Sequence, residues 1–324
     1  MNKPTIWHGK PYYSLNAYCK DTYGEKLSKI ALNAGFTCPN RDGTLGRRGC
    51  IFCSGAGSGD FSMSLTSDQS IDHIIHSYLE QMTCQHPGNR YIGYFQAYTN
   101  TYASVAELEQ KYTAVLDFPQ IAGISIATRP DCLPPEVLQL LKDLKQRYPD
   151  KFIWVELGLQ TIHERTASFI RRGYALSCFQ EAVTALHELQ IPVITHVILG
   201  LPGESTDMQL ETISYLNRQP VWGIKLQLLH ILKDTDLGLL YEKEPSVYHS
   251  YESMEDYLSM VILSLEHLRP DIVVHRVTGD APKELLLSPI WSLDKRKVLN
   301  TLHHEMKLRK TYQGRLYAGS IDTL

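Results

Sequence analysis

Three of the chain's seven cysteines lie in one stretch, CPNRDGTLGRRGCIFC, from Cys38 to Cys53. Cys50 and Cys53 form a C-x-x-C pair, and eleven residues separate Cys38 from that pair. Three thiolates leave a tetrahedral metal one ligand short. One reading is zinc completed by a histidine, although His8 and His73, the nearest, are distant in sequence and no partner C-x-x-C or H-x-H exists. A second is a 4Fe–4S cluster with three cysteine-ligated irons and a fourth left open for a substrate or cofactor. A third is a set of unrelated buried thiols. Spacing alone leaves all three open. Cys19, Cys84, Cys132 and Cys178 share no spacing, so a second cluster is not expected.

Composition bounds where such chemistry would operate. The 324 residues are 43% hydrophobic and 21% charged, as in ordinary globular enzymes. The start, MNKPTIWHGKPYYS, has no apolar stretch behind a basic one, so no secretory signal is expected. No apolar run approaches the ~18 residues of a spanning helix. The expected location is cytoplasmic, with no membrane association. In that reducing compartment an odd cysteine count favours metal or redox chemistry over a disulfide framework. The net charge of −3 is unevenly spread. From Ala281 to Leu324 eight Lys/Arg oppose four Asp/Glu, which gives this tail +4 and the preceding 280 residues −7. A polyanionic partner fits that asymmetry, and so does a solvated basic helix.

From residue 29 onward, short β-rich runs alternate with helical patterns, as successive βα units on a parallel sheet do. Strands are expected at 29–37, 91–98, 121–128, 152–160, 191–199 and 223–229, and helices at 70–82, 105–115, 134–147, 177–189 and 207–217. Ser104 with Glu107 makes a capping box, and Pro134 and Pro135 open the third helix. Six βα-type strands with right-handed crossovers imply an α/β fold, a partial (β/α)6 barrel of TIM type, with a doubly wound sheet as the alternative. The barrel core takes 29–232, between an N-terminal extension, 1–28, and a C-terminal one, 233–324. The latter contains an expected helix at 251–268, a further strand at 272–277 and a basic helix at 295–310. Ligands bind at the C-terminal ends of such strands. CPNRDG, TNTY, RPDC, QT and GLPGE all follow those ends and collect on one rim.

These motifs give the chain a family likeness. The sequence resembles the radical SAM superfamily, in which a six-unit barrel carries three cluster cysteines on the loop after its first strand. Cys38, Cys50 and Cys53 fall on that loop, and Phe52 holds the usual aromatic place before the last cysteine. VILGLPGE, 197–204, resembles the stretch that packs on the adenine of S-adenosylmethionine (SAM), which places Leu199 and Gly200 at the cofactor. GLQT and RRGY, 158–161 and 171–174, resemble the fourth-strand region of the elongator catalytic subunit and the anaerobic coproporphyrinogen enzyme. That resemblance turns Gln160 and Arg172 towards the cofactor. TRPD, 128–131, also looks like the elongator subunit. Nearly the whole chain is similar to the bacterial YhcC/YtqA-type family. The long first gap departs from the usual superfamily spacing, as in elongator-type members. QAYTNT, 96–101, replaces the Gly-Gly-Glu of many members and leaves Thr99 and Asn100 as candidate polar contacts.

The resemblance implies a 4Fe–4S cluster on Cys38, Cys50 and Cys53 whose fourth iron takes the amino and carboxylate groups of SAM. A fourth cysteine would close that site. The reduced cluster would cleave SAM to a 5′-deoxyadenosyl radical, with reduced flavodoxin or ferredoxin as electron donor. Gly43, Gly46 and Gly49 let the loop turn tightly and bring backbone N–H groups near the cluster sulfurs. The elongator likeness, the basic tail and Arg41, Arg47 and Arg48 suggest an RNA-modifying transferase or oxidoreductase acting on a tRNA uridine near the wobble position. The alternatives are a radical SAM enzyme for a small metabolite or porphyrin-like molecule, and a non-enzymatic, zinc-stabilised RNA-binding barrel. Cys132, after TRPD on the rim, is the candidate catalytic thiol. His196 reads as a satisfied core histidine and Glu204 as either a helix-start residue or a ligand. Tyr12, Tyr13, Tyr18 and Tyr23 either pack on the barrel or stack on RNA bases. The sequence says nothing of oligomeric state.

Overall fold

The computed structural model describes residues 6–319 apart from 58, 65–72, 74–76 and 78–89. Among the described residues one sheet contains β1 (Ser28–Asn33), β2 (Met63–Ser64), β3 (Tyr91–Phe95), β4 (Ile121–Thr128), β5 (Phe152–Gln160), β6 (Val193–Leu199), β7 (Gly223–Leu228) and β9 (Val273–Arg276). Every neighbouring pair is parallel, in the order β2-β1-β3-β4-β5-β6-β7-β9. The sheet curls into a partial barrel, the expected α/β architecture. β8 (Ile231–Leu232) and β10 (Leu286–Ser288) form a separate antiparallel pair.

β3 and β4 are buried at every position, because a parallel strand here is covered on both faces. Outside, Ile124, Val155, Leu157 and Ile224 join one core with residues of α3 (Val105–Leu116), α4 (Pro135–Arg147), α6 (Leu176–Glu188) and α7 (Thr206–Leu216). Ser104 caps α3 as expected, its Oγ accepting from Glu107 N at 3.3 Å. Inside, register sets Ser125 beside Trp154, His196 beside Lys225, and Lys225 beside Arg276. In-register neighbours present their side chains to the same face.

α1 (Leu15–Tyr23) brings Tyr18 edge-on against Trp222 and Trp154, with centroids 4.8 and 6.2 Å away. Tyr12 is buried and within hydrogen-bond distance of His303, at 3.2 Å. These tyrosines therefore pack the N-terminal segment onto the fold. The expected strand 29–37 ends at Asn33, where the Asn33 side chain accepts from Gly35 N at 3.0 Å and Gly35 turns to φ +76°. The expected strand 91–98 ends at Phe95, short of Tyr98 at φ +61°. The strand expected at 272–277 is β9, which extends the barrel sheet beside β7. The helix expected at 70–82 lies outside the described residues except at 73 and 77, and Cys84 lies outside them too. No helix among the described residues is long and apolar enough to cross a membrane.

Candidate functional site

The cysteine loop begins where β1 ends. Cys38 precedes the single turn α2 (Pro39–Asp42), and the chain then doubles back. Leu45 N and Gly46 N donate to Pro39 O at 2.8 and 3.2 Å, and Gly49 N donates to Asn40 O at 2.8 Å. Gly43 and Gly49 take φ of +101° and +72°, which the reversal requires and L-residues resist. The excursion returns Cys50 towards Cys38, and Cys53 N donates to Cys50 O at 3.1 Å. Cys38, Cys50 and Cys53 consequently line one cavity at the barrel mouth.

Arg41 braces this loop, donating to Cys53 O at 3.0 Å and Ser54 O at 2.5 Å. Arg48 and Arg171 both bond Asp236 at the start of α8 (Asp236–Lys243). Asn40 links the loop to RRGY: its Nδ2 donates to Arg171 O at 2.8 Å and to Cys50 Sγ at 3.5 Å. Burial, then the neighbouring Cys53, pushes the Cys50 thiol up to about 12. Loading a metal on it therefore displaces a proton.

The fourth-strand motif is wired in the same way. Arg172 is almost wholly buried and donates to Tyr174 O at 3.0 Å, Leu159 O at 3.2 Å, Thr161 O at 2.7 Å and Glu164 Oε1 at 3.0 Å. Leu159 and Thr161 flank Gln160, which sits at φ +65°. The guanidinium clamps the backbone on both sides of a left-handed glutamine. Gln160 Oε1 is itself buried without a partner and the residue opens on the cysteine cavity. Arg129 of TRPD grips Asp131 through both carboxylate oxygens, at 2.9 and 2.7 Å, and donates to Arg172 O at 3.0 Å. Tyr174 lies under both guanidiniums, at 4.9 and 5.0 Å. The motifs CPN, TRPD and RRGY thus form one connected bracket around the cavity.

Of the residues expected at the cofactor, Phe52, Thr99, Gln160 and Arg172 line that cavity. Asn100, Leu199 and Gly200 do not. Asn100 is buried and donates to Phe95 O and Ala127 O at 3.2 and 2.8 Å, tying β3 to β4. Leu199 is in the main core, and Gly200 turns at φ +84° against Tyr251. Cys132 faces a separate pocket beside Pro39 and Pro134, and burial pushes its thiol up to about 12. Glu204 accepts from Thr161 Oγ1 at 2.5 Å, joining the β5 and β6 loops.

A charged network that no sequence motif announces crosses the barrel interior. Glu156 of β5 is completely buried and accepts from Ser125 Oγ at 2.6 Å, from Lys29 Nζ at 3.0 Å and from Lys225. His196 Nε2 lies 2.6 Å from its other oxygen, and Gln227 holds His196 Nδ1 at 3.1 Å. His196 is thus the satisfied interior histidine expected. Burial alone would raise the Glu156 carboxyl, but Lys225, Lys29 and His196 hold it well below the usual range. Burial, then Lys225, lowers His196 to about 4, so it is neutral near pH 7. One or two polar residues per strand, spaced across the barrel, leave no local motif.

The site fits a cluster with one open iron. Three thiols and Gln160 line one cavity, an amide N–H reaches one sulfur, and Gln160 Oε1 is buried without a partner.

Two family models match: the radical SAM superfamily over residues 42–216 and the Radical_SAM C-terminal domain over 221–308. The uncharacterized protein YtqA of Bacillus subtilis is 44% identical over 95% of this chain and 93% of its own. Protein YhcC of Escherichia coli is 36% identical over 83% and 84%. A tRNA uridine(34) acetyltransferase of Methanocaldococcus jannaschii is 25% identical over 58% of this chain and 34% of its own. The Methanocaldococcus infernus Elp3 structure superposes with a TM-score of 0.64 over 89% of this chain and 64% of that one, at 14% identity, and shares the fold.

Proposed function

We propose a function from one premise: the chain belongs to the radical SAM superfamily. Its cofactors are a 4Fe–4S cluster and SAM. Cys38, Cys50 and Cys53 are the proposed iron ligands, and their meeting at one cavity with Gln160 is the observation that carries the reading. When bound, the cluster supplies the electron that cleaves SAM to a 5′-deoxyadenosyl radical. The chain's own residues bind, orient and shield. Asn40 steadies the Cys50 sulfur, and Gln160 offers its unpartnered oxygen to a donor on SAM. Arg172 acts through Gln160 by fixing the backbone on both sides of it. The reductant is a reduced flavodoxin or ferredoxin.

The proposed substrate is a tRNA uridine near the wobble position. Support comes from the distant relative named for uridine 34 of tRNA and from the basic C-terminal tail. In α10 (Lys295–Leu308), Arg296, Lys297 and Lys307 are exposed, whereas Lys295 is held by Asp280 at 2.7 Å. Comparing modified nucleosides in total tRNA from wild-type and deletion strains tests this reading. A wobble-uridine nucleoside that disappears, with a precursor accumulating, is the expected result. Unchanged nucleosides together with salt-independent or undetectable tRNA binding would transfer the proposal to a small metabolite.

A further inference from the structure

The barrel interior gathers cations around a single ionised carboxylate. Lys29 and Lys225 approach the Tyr94 ring, with Nζ atoms 4.4 and 4.3 Å from its centroid, and both bond Glu156. Lys225 is nearly inaccessible, and its remaining partner is Tyr94 Oη at 2.9 Å. Arg276, beside Lys225 in register, lines the same cavity as the three cysteines. The acids near Arg276 are already engaged. Asp280 is shared between an ion pair with Arg276 at 3.5 Å and a closer one with Lys295 at 2.7 Å, and Asp60 accepts from Ser54 Oγ at 3.0 Å. Glu156 has both oxygens occupied by Ser125, Lys29, Lys225 and His196. Burial holds the Lys225 ammonium well below the usual lysine range; Glu156 opposes that, and Lys29 and Arg276 add to it. Glu156 is the one carboxylate that both lysines share, so a further anion arriving beside them and Arg276 relieves the remaining repulsion and favours the charged form of buried Lys225.

We propose that Lys29, Lys225 and Arg276 form a receptor for an anionic group of the substrate, a carboxylate or a phosphate, held inside the barrel next to the cysteine cavity. Glu156 and Tyr94 keep the two lysines extended towards that space, and Arg276 supplies a fork suited to two oxygens. The inference rests on the cysteine cavity being the site of chemistry and is independent of whether the substrate is RNA.

The test uses anaerobically purified holoprotein labelled with 15N-arginine. The Nε–Hε signal of Arg276 is assigned by its loss in Arg276→Gln. Acetate, inorganic phosphate and uncharged acetamide are titrated at constant ionic strength. Expected is a saturable shift with acetate or phosphate, none with acetamide, and roughly tenfold weaker anion binding in Lys29→Gln, as for loss of one charge-assisted contact. Tighter binding of acetate identifies a carboxylate, and tighter binding of phosphate identifies a phosphate. An unsaturable shift, or one that acetamide reproduces, overturns the receptor. A shift produced by SAM alone that blocks acetate also overturns it, by assigning the cations to the cofactor's own carboxylate. The wild-type titration decides the matter even if a variant folds poorly, and failure of tRNA binding leaves it untouched.

Discussion

Replacing Arg172 with lysine tests the wiring of the site most sharply. Four of the five guanidinium N–H groups have protein acceptors: three backbone carbonyls and Glu164. A lysine ammonium has three donors at a single point and cannot reach acceptors on both sides of Gln160 and on Tyr174 together. Hydrogen bonds to charged groups are worth about 1.5–3 kcal/mol each and are not additive. We take about 4 kcal/mol for Arg172→Lys. At ~2.1 cal/mol/K per residue, unfolding entropy for a chain of this length is about 0.7 kcal/mol/K, so the melting midpoint should fall by about 6 °C. SAM binding should weaken too, because Gln160 at φ +65° loses the bonds that hold its backbone. Differential scanning fluorimetry and SAM binding by equilibrium dialysis on the same preparation read both effects. An unchanged melting midpoint with SAM affinity down 10- to 150-fold would refute this reasoning. That pattern belongs to an arginine bonded directly to the cofactor.

Asn40→Ala removes the N–H that reaches Cys50 Sγ, so the cluster's reduction potential should fall in a redox titration followed by electron paramagnetic resonance; an unchanged or higher potential would contradict the assignment. Gly57→Ala places a Cβ 2.4 Å from the Tyr98 ring at φ +59°, which should cost about 1–3 kcal/mol in denaturant unfolding, partly recovered by adding Tyr98→Ala. His196 titrates near 4 when folded against 6.5 when unfolded, so the unfolded chain binds the proton first as pH falls. Its contribution is complete above pH ~6.5 and is lost towards pH ~4, up to about 3 kcal/mol. His230, also lowered to about 4, shares this window, so His196→Gln should flatten the stability profile by its own share, and an unaltered profile would count against the buried pairing.

The parts legible in the sequence were those written in local pattern. β4 and β5 fall at the expected positions because each is a mostly apolar, β-rich run with a turn at its end. The grouping of Cys38, Cys50 and Cys53 at one cavity was legible as well, since all three stand on one loop. Arg172 was singled out, but its partners were not: three are carbonyls, which no residue type announces. Asn40 hid inside CPNRDG because a loop asparagine reads first as a turn former. Lys29, Glu156 and Lys225 stand on three different strands, and only the curl of the sheet brings them together. β9 was expected as a strand, yet its place beside β7 depends on a pairing that spans α9 (Met254–His267). Asn100 stands out in the sequence by its position after a strand, whereas the bonds by which its amide ties β3 to β4 go to carbonyls that no residue type announces.

The most direct test of the central claim is reductant-dependent cleavage of SAM by anaerobically purified protein, with iron measured on the same samples. The account predicts about four irons per chain and formation of 5′-deoxyadenosine and methionine in the wild type, with both iron and product lost in Cys50→Ala. A Cys50→Ala protein that keeps its full iron and cleaves SAM at the wild-type rate would contradict it.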